Sequence, residues 1–114
     1  MKTSELTGAA LDWAVARCEG IPKRKVGVSG GVVFTVAGDY CPSTDWLQGG
    51  PIIQREQIIV APYADAPFGP IAGWGALQWG HTGVSKGATP LVAAMRCYVA
   101  SKLGDEVEIP ESIK

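Results

Sequence analysis

The residues best suited to bind a ligand lie close together between positions 40 and 51. The candidate binding residues in this segment are Tyr40, Ser43, Thr44, Asp45, Trp46, Gln48, Gly49 and Gly50. If Pro51 begins a helix, the N–H groups of the preceding glycines converge at the positive end of the helix dipole, where a phosphate or carboxylate can bind. Asp45 or Gln48 would accept from a ligand hydroxyl or amine, and Trp46 would stack on the ligand. The segment therefore predicts a site for an anionic or nucleotide-like small molecule.

The same segment also has a purely structural interpretation. Asp and Ser side chains often cap a helix or bond the backbone of their own turn. Two glycines followed by a proline are a weak signal for ligand binding when they occur alone. The structural interpretation carries more weight, and the ligand site is kept as the alternative.

Tryptophan is the second feature with chemical potential, since the chain has four in 114 residues. An exposed indole can bind a sugar, a base, a cation or a protein partner, whereas a buried indole fills the core. Trp13 lies on the apolar stripe of a helical pattern and is expected in the core. Trp46 and Trp79 stand beside polar residues and glycine and are expected to be exposed. Trp74 and Trp79, on one predicted strand, complete the set of candidate partner-binding residues.

Enzyme chemistry has little support in the sequence. His81 is the only histidine, so a catalytic set could only combine it with Asp45 and either Cys41 or Ser43, and no local motif supports that arrangement. The three cysteines and His81 do not have the spacing of a local zinc site. We predict no catalytic residue, no metal and no cofactor, and the sequence favours a protein that is not an enzyme.

Charge and composition narrow the range of partners and compartments. Ten Lys and Arg against eleven Asp and Glu give a net charge of −1, which argues against nucleic acid as a partner. The short basic run at residues 23–25 is expected to be a solvated turn. No signal peptide or membrane-spanning segment is visible, and three cysteines without a C-x-x-C pair fit a reducing compartment. We expect a cytoplasmic protein without a membrane partner, folded as a single domain over residues 1–114.

Two helices are predicted at the ends of the chain. The first covers about residues 8–19, with Thr7 as N-cap and Gly20 at its end. The second begins after Thr89, with Pro90 in its first turn, and ends before Gly104. The second helix is apolar on nearly every side, so it is expected in the core or at a subunit interface, and we predict a homodimer.

Short antiparallel strands are expected between the helices. Residues 26–36 predict a hairpin around the turn 29–31, which the pair 38–39 ends. Further along, the patterns predict an ordered loop at 40–50, a buried strand at 57–61, a flexible loop at 62–73, a strand at 74–79, a connection at 80–87 and an edge strand containing residues 107 and 109. The fold class is therefore α+β, with these strands packed against an N-terminal helix and a long, largely buried C-terminal helix.

Three stretches resemble a known family. They are the opening Lys-Thr-Ser-Glu-Leu-Thr-Gly at residues 2–8, residues 40–56 with Pro-Ser-Thr-Asp-Trp and Gln-Gly-Gly-Pro-Ile-Ile, and residues 87–110 with Thr-Pro-Leu-Val-Ala-Ala-Met-Arg-Cys-Tyr. Together they resemble the NinX-like family of small bacteriophage and prophage proteins. The resemblance implies a phage accessory protein made in the cytoplasm of the host cell, and it transfers no catalytic residue and no cofactor.

Two functional hypotheses follow. The first is a non-enzymatic interaction module that binds a host or phage macromolecule, most simply a protein. The alternative is a small-ligand binding protein or enzyme that uses residues 43–51. A deep pocket lined by Asp45, Trp46 and Trp74 would favour the ligand, and a flat aromatic patch would favour the macromolecular partner.

Overall fold

The computed structural model describes residues 1–81 and 83–113. Its helices are α1 (Gly8–Cys18), α2 (Trp46–Glu56) and α3 (Pro90–Leu103). The strands of the first antiparallel sheet are β1 (Gly27–Ser29), β2 (Val32–Thr35) and β3 (Gly38–Asp39), in the order β1-β2-β3. The second antiparallel sheet contains β4 (Ile58–Ala64), β5 (Ile71–Gln78) and β6 (Ser85–Gly87), in the order β4-β5-β6. The predicted α+β class is confirmed.

Both predicted terminal helices are present at the expected positions. Trp13 of α1 is buried, as predicted. Thr89 caps α3, since its Oγ1 accepts from the Val92 N–H at 3.1 Å. Thr7 occupies the N-cap position of α1, but its side chain makes no capping hydrogen bond. The start of α3 is therefore held by its cap, whereas the position of α1 depends on the packing of its apolar stripe.

Helix α3 lies at the centre of the core, between the inner face of the second sheet and the other two helices. Its buried residues are Leu91, Ala93, Ala94, Met95, Cys97, Tyr98 and Val99. Most of the apolar surface of α3 is thus covered within one chain, and Leu103 at its end is 37% exposed. That surface was the reason for predicting a homodimer, and with it enclosed, self-association stays a prediction without this support.

The first sheet forms from the predicted hairpin. Gly30 and Gly31 have φ of 60° and 77°, the left-handed values that a two-residue hairpin turn requires at both positions. Val33 of β2 is buried and joins the core. The pair 38–39 does not simply end the hairpin, as predicted, but adds the third strand by pairing with β2.

The second sheet is longer than predicted. The prediction of a flexible loop over residues 62–73 is wrong at both ends, because β4 extends to Ala64 and β5 begins at Ile71. Pro62 was taken as a loop signal, but β4 is an edge strand, where a residue without an N–H is tolerated. Strand β5 ends one residue before Trp79. The predicted connection at 80–87 contains β6, and its residue Thr82 lies outside the described residues.

The chain after α3 does not form the predicted edge strand. A single β-bridge joins Glu106 to Lys2, and the alternating Val107 and Ile109 are buried in the core instead. Burial of these two side chains, rather than strand pairing, explains the alternating pattern.

The three cysteines are free thiols, with Cys97 buried and Cys18 and Cys41 half-buried. In the part of the chain that the structure describes, no helix has the length and apolar character needed to cross a membrane.

Candidate functional site

The segment 40–51 folds differently from the predicted anion site. Helix α2 begins at Trp46 rather than at Pro51, because the Asp45 carboxylate accepts from the Leu47 N–H at 2.9 Å and caps the helix there. The Gly49 N–H donates to the Asp45 carbonyl at 2.9 Å, and Gly50 follows it inside the helix. The glycine N–H groups therefore belong to the helix and do not form the predicted donor nest.

The polar side chains of the segment bond its own backbone. Gln48 Oε1 accepts from the Cys41 N–H at 2.6 Å, and Gln48 Nε2 donates to the Asp39 carbonyl at 2.8 Å. Ser43 is buried, and its N–H donates to Asp12 Oδ1 at 2.9 Å. These bonds hold the chain between β3 and α2 in one conformation and occupy the amide of Gln48. The Ser43 hydroxyl is buried and has no hydrogen-bond partner among the described residues.

Burial raises the pKa of two titratable groups, Tyr40 in this segment and Asp12 of α1, which packs against it. Burial raises the pKa of the Asp12 carboxyl, and the hydrogen bond from the Ser43 N–H opposes that rise. Burial raises the pKa of the Tyr40 phenol as well, and the negative charges of Glu19 and Asp12 add to the rise. Tyr40 therefore acts at neutral pH as a half-buried apolar ring with a protonated hydroxyl.

Gly49 is required by close packing. A Cβ added at Gly49 would lie 2.4 Å from the Pro42 carbonyl oxygen and 2.6 Å from Leu91 Cδ2, whereas one added at Gly50 would meet nothing within 4 Å. Gly49 is the contact at which α2, α3 and the preceding loop approach one another. The exposed residues that remain in the segment are Thr44, Trp46, Leu47 and Pro51.

The predicted tryptophans are not brought together into one site. Trp74 is half-buried against the core. The Trp79 N–H donates to the carbonyl of Gln57, the residue that follows α2, whereas Trp46 begins the same helix. About 16 Å of helix therefore lies between the backbone of Trp46 and that of Gln57, beside which Trp79 is bonded. Among the described residues, none of the principal cavities is lined by Asp45, Trp46 or Trp74.

The outer face of the second sheet, turned away from α3, exposes apolar side chains around Trp79. Its residues, which we call the outer-face patch, are Ile59, Ala61, Tyr63, Leu77, Trp79 and Val84. The strand alternation places Ile58 and Ala76 in the core and their neighbours Ile59 and Leu77 on the opposite face. A shallow cavity of about 340 Å³ lies between Trp79, Ile59 and Gln57.

Two glycines of β5 make this patch smooth. A Cβ at Gly73 would lie 3.1 Å from the Tyr63 ring, and one at Gly75 would lie 3.5 Å from Val84 Cγ1. The neighbouring side chains thus lie over the glycines. Lys86 Nζ stands 4.8 Å from the Tyr63 ring centroid and gives the patch a cationic rim.

Sequence reasoning missed a polar cluster that joins the three helices. Arg55 donates to both carboxylate oxygens of Glu19, at 3.1 and 2.6 Å, and the Tyr98 hydroxyl donates to Glu19 Oε2 at 2.5 Å. Arg55 Nε also donates to Glu56 Oε2 at 2.9 Å. Burial alone would raise the pKa of Glu19, but the hydrogen bonds from Arg55 and Tyr98 lower it below its usual value.

The only sequence signal for this cluster is the Arg-Glu pair at the end of α2, because its other members are distant in the chain. The cluster therefore links the C-terminal ends of α1 and α2 to Tyr98 within α3, which is a structural role.

The catalytic combinations considered from sequence are not assembled. His81 is exposed and lines a cavity with Ser85 and Cys97, away from Asp45 and Ser43 at the start of α2. Within residues 1–81 and 83–113, no three His, Cys, Asp or Glu side chains are grouped so that they could hold a metal ion.

Comparison with known proteins agrees with the resemblance noted in the sequence. No curated protein is similar enough in sequence to count as a match. The profile of the family described as "Bacteriophage P22, NinX" matches residues 2–102, which include all three helices almost to the end of α3. The chain belongs to this NinX family and is a phage accessory protein.

Proposed function

We propose that this phage accessory protein is a non-enzymatic interaction module that binds a protein of the phage or of its host through the outer-face patch. The observation that carries the proposal is the exposure of this apolar sheet face. Trp79 is 71% exposed, Val84 62% and Ile59 46%. Contiguous exposed apolar surface of this kind is typical of protein interfaces, and tryptophan is enriched among residues that dominate binding energy.

A protein partner agrees better with the charges than a nucleic acid does. The chain has a net charge of −1, and the patch has one cation at its rim, Lys86. Binding to a phosphate backbone depends on several cations acting together. An apolar centre with a single charged rim residue is instead the usual composition of a protein interface.

Of the candidate binding residues predicted at 40–50, Trp46 is the one whose side chain is available to a protein partner. Trp46 and Leu47 are 57% and 83% exposed, and they form a smaller second surface at the start of α2. The alternative of a small-ligand site at 43–51 has little support, since Asp45 and Gln48 already bond the backbone near the start of α2 and Ser43 is buried against Asp12.

The proposal is tested first in infected cells and then with purified proteins. Affinity purification of the tagged protein identifies a candidate partner, which is purified, and its Kd is measured for four forms: wild type, Trp79→Ala, Ile59→Lys and Trp46→Ala. We expect Trp79→Ala to weaken binding by about thirtyfold, the effect of losing a central interface residue. Trp46→Ala is the matched control, because it removes an exposed indole from outside the patch.

Two results would contradict the proposal. One is loss of binding in Trp46→Ala with full binding in Trp79→Ala, which would transfer the interface to the start of α2. The other is recovery of no specific protein while a metabolite raises the Tm of the purified protein, which would favour a small ligand.

A further inference from the structure

The loop at residues 65–70, which joins β4 to β5, holds a phenylalanine in an unfavourable backbone conformation. Phe68 has a φ of 62°, and among the described residues Gln57 is the only other one besides glycine with a positive φ. Gln57 follows α2 as its left-handed cap, where such a φ is common. A bulky side chain in the left-handed region is otherwise rare and strained. The conformation of Phe68 therefore needs a separate explanation.

The turn around Phe68 is built to keep this conformation. The Gly69 N–H donates to the Ala66 carbonyl at 3.0 Å, which closes a β-turn with Pro67 and Phe68 at its two central positions. Proline favours the first central position, and a positive φ at the second is the mark of a type II turn, where glycine is the usual residue. A Cβ added at Gly69 would lie 3.1 Å from the Ala66 carbonyl oxygen, so the turn is tight. Phe68 thus occupies the position that glycine would fill with the least strain.

The fold gains no packing from the Phe68 ring. The side chain is fully exposed, so it does not pack against the part of the chain that the structure describes. Strained backbone persists where the surrounding structure fixes it, and it is concentrated at functional sites. A rigid turn that holds an aromatic ring in solvent presents that ring to another molecule.

The charge of the loop narrows the kind of molecule that Phe68 contacts. Asp65 is the only Asp, Glu, Lys or Arg between Glu56 and Lys86. It is exposed, and it forms no salt bridge within residues 1–81 and 83–113. A carboxylate near the ring is repelled by the phosphates of a nucleic acid or an anionic membrane. It matches instead a protein surface on which a basic residue lies next to an apolar pocket.

We propose that the turn at residues 66–69 is a preformed anchor that inserts Phe68 into an apolar pocket of a protein partner, with a Lys or Arg of that partner beside Asp65. Because the turn is already fixed, binding does not have to order it, which lowers the entropic cost of association. The proposal rests on the proposed function, since Tyr63 of the outer-face patch lies in the same hairpin, two residues before Asp65. It adds the side chain that enters the partner and the chemistry of the pocket that receives it.

The first measurement uses the free protein. Phe68→Gly should raise the Tm, because glycine adopts the positive φ without strain. Val36→Ala is the matched control, since Val36 is a fully exposed apolar residue in the turn between β2 and β3 and has no positive φ. The Tm of this control should stay unchanged. A lower Tm in Phe68→Gly would show that the fold needs the ring, and it would overturn the proposal.

The second measurement identifies what the ring contacts. The photo-crosslinker p-benzoylphenylalanine replaces Phe68, or Val36 as the control, in the full chain in infected cells. We expect a crosslink to one protein from position 68 and not from position 36. That protein is purified and its Kd is measured: Phe68→Gly should weaken binding by about tenfold or more, and Val36→Ala should leave it unchanged. A variant that melts at a higher temperature but binds less tightly is the signature of a strained anchor.

Charge recognition is tested with the same partner. Asp65→Lys should weaken binding by about tenfold, because it sets two cations against each other. Asp39→Lys is the matched control, since Asp39 is an exposed acid in β3 of the first sheet. Equal effects of the two variants would mean that net charge, and not a basic residue next to the pocket, decides binding.

The remaining outcomes separate this proposal from the proposed function. No protein crosslinked specifically from position 68, a crosslink to lipid or nucleic acid instead, or an unchanged Kd in Phe68→Gly would each overturn the anchor. Full binding in Trp79→Ala with loss in Phe68→Gly would refute the outer-face patch and keep the anchor. Loss in Trp79→Ala with full binding in Phe68→Gly would refute the anchor alone.

Discussion

Two regions of the molecule expose a tryptophan, and they differ in what surrounds it. At the start of α2, Trp46 stands next to polar residues whose groups bond the local backbone, as Gln48 does for Cys41 and Asp39. In the outer-face patch, Trp79 stands next to apolar residues that are turned away from the core. The polar groups of the first region are therefore explained by what the fold needs, and its exposed apolar surface is limited to Trp46 and Leu47. The second exposes apolar surface that the described fold does not need, which is why we place the interface there.

The contrast between the two regions is tested most directly by measuring how much each tryptophan contributes to the free energy of unfolding. Met95 is completely buried, so Met95→Ala should lower the free energy of unfolding by about 2–5 kcal/mol. Trp46→Ala and Trp79→Ala should each change it by less than about 1 kcal/mol, since both side chains are mainly exposed. Urea denaturation of the three variants gives the order. A loss in Trp46→Ala equal to that in Met95→Ala would show that Trp46 fills the core.

The close packing below α2 gives the next largest expected effect. Gly49→Ala should destabilise the protein by about 1–3 kcal/mol, because its methyl group would press on the Pro42 carbonyl and Leu91. Gly50→Ala is the matched control, and in a helix with open space it should stabilise by up to about 1 kcal/mol. Thermal melts compare the two. Equal effects would mean that the loop can move away from α2 and that the first region is less rigid than we conclude.

The ion-paired end of α2 should respond to acid. Because Glu19 has a pKa below its usual 4.5 in the folded protein, its contribution is complete above about that pH and is lost as the pH falls through the lowered value. Glu19→Gln should therefore cost about 1–2 kcal/mol at pH 7, and the difference from wild type should shrink on acidification. Urea melts at a series of pH values measure it. A difference that is constant with pH would show that the hydrogen bonds matter and the charge does not.

Removing the cap of α2 should have a smaller effect. Asp45→Ala deprives the Leu47 N–H of its acceptor and should cost about 1 kcal/mol of stability. Thr44→Ala is the control, since the Thr44 hydroxyl makes only a long 3.5 Å contact with the Cys41 carbonyl. If Asp45→Ala left stability unchanged in chemical denaturation, Asp45 would again be available as a ligand-binding residue, and the contrast between the two regions would weaken.

The smallest expected effect is a change in association, rather than in stability, at the free edge of strand β4. The Trp79 N–H donates to the Gln57 carbonyl, so residues 57 and 79 form a hydrogen-bonded pair of the antiparallel ladder. Because such pairs alternate along the strands, the N–H groups of residues 59 and 61 point toward β5, and the nitrogen of Pro62 points toward the free edge. Pro62→Val adds an edge donor, and we expect association that increases with concentration in light scattering. Ala61→Val is the control, since its N–H faces β5. Association of both variants alike would assign the effect to the apolar face rather than to the edge.

The sequence predicted most where one local signal was sufficient. Helices α1 and α3 and the hairpin of β1 and β2 follow from apolar periodicity, a cap and a glycine turn. Prediction failed where two local signals competed, because both Asp45 and Pro51 can mark the start of a helix and only Asp45 does so in α2. It also failed where the position in the fold decided what a residue does, because Pro62 usually indicates a loop but is tolerated in the edge strand β4. The Glu19–Arg55 contact and the packing at Gly49 join residues distant in the chain, and no local pattern contains them.

The free thiols of the molecule provide a way to measure how different parts of it open. Burial raises the pKa of Cys18 to about 11, with the charge of Glu19 adding to it, and burial also raises the pKa of Cys41 and Cys97. Alkylation at neutral pH is slow for such thiols, and for the buried Cys97 it also needs transient openings that expose the side chain. Cys97 in the central helix should then report global unfolding, whereas the half-buried Cys18 and Cys41 react sooner and report the end of α1 and the loop before α2. Three rates from one labelling experiment would rank the rigidity of the core, a helix end and the loop without any substitution.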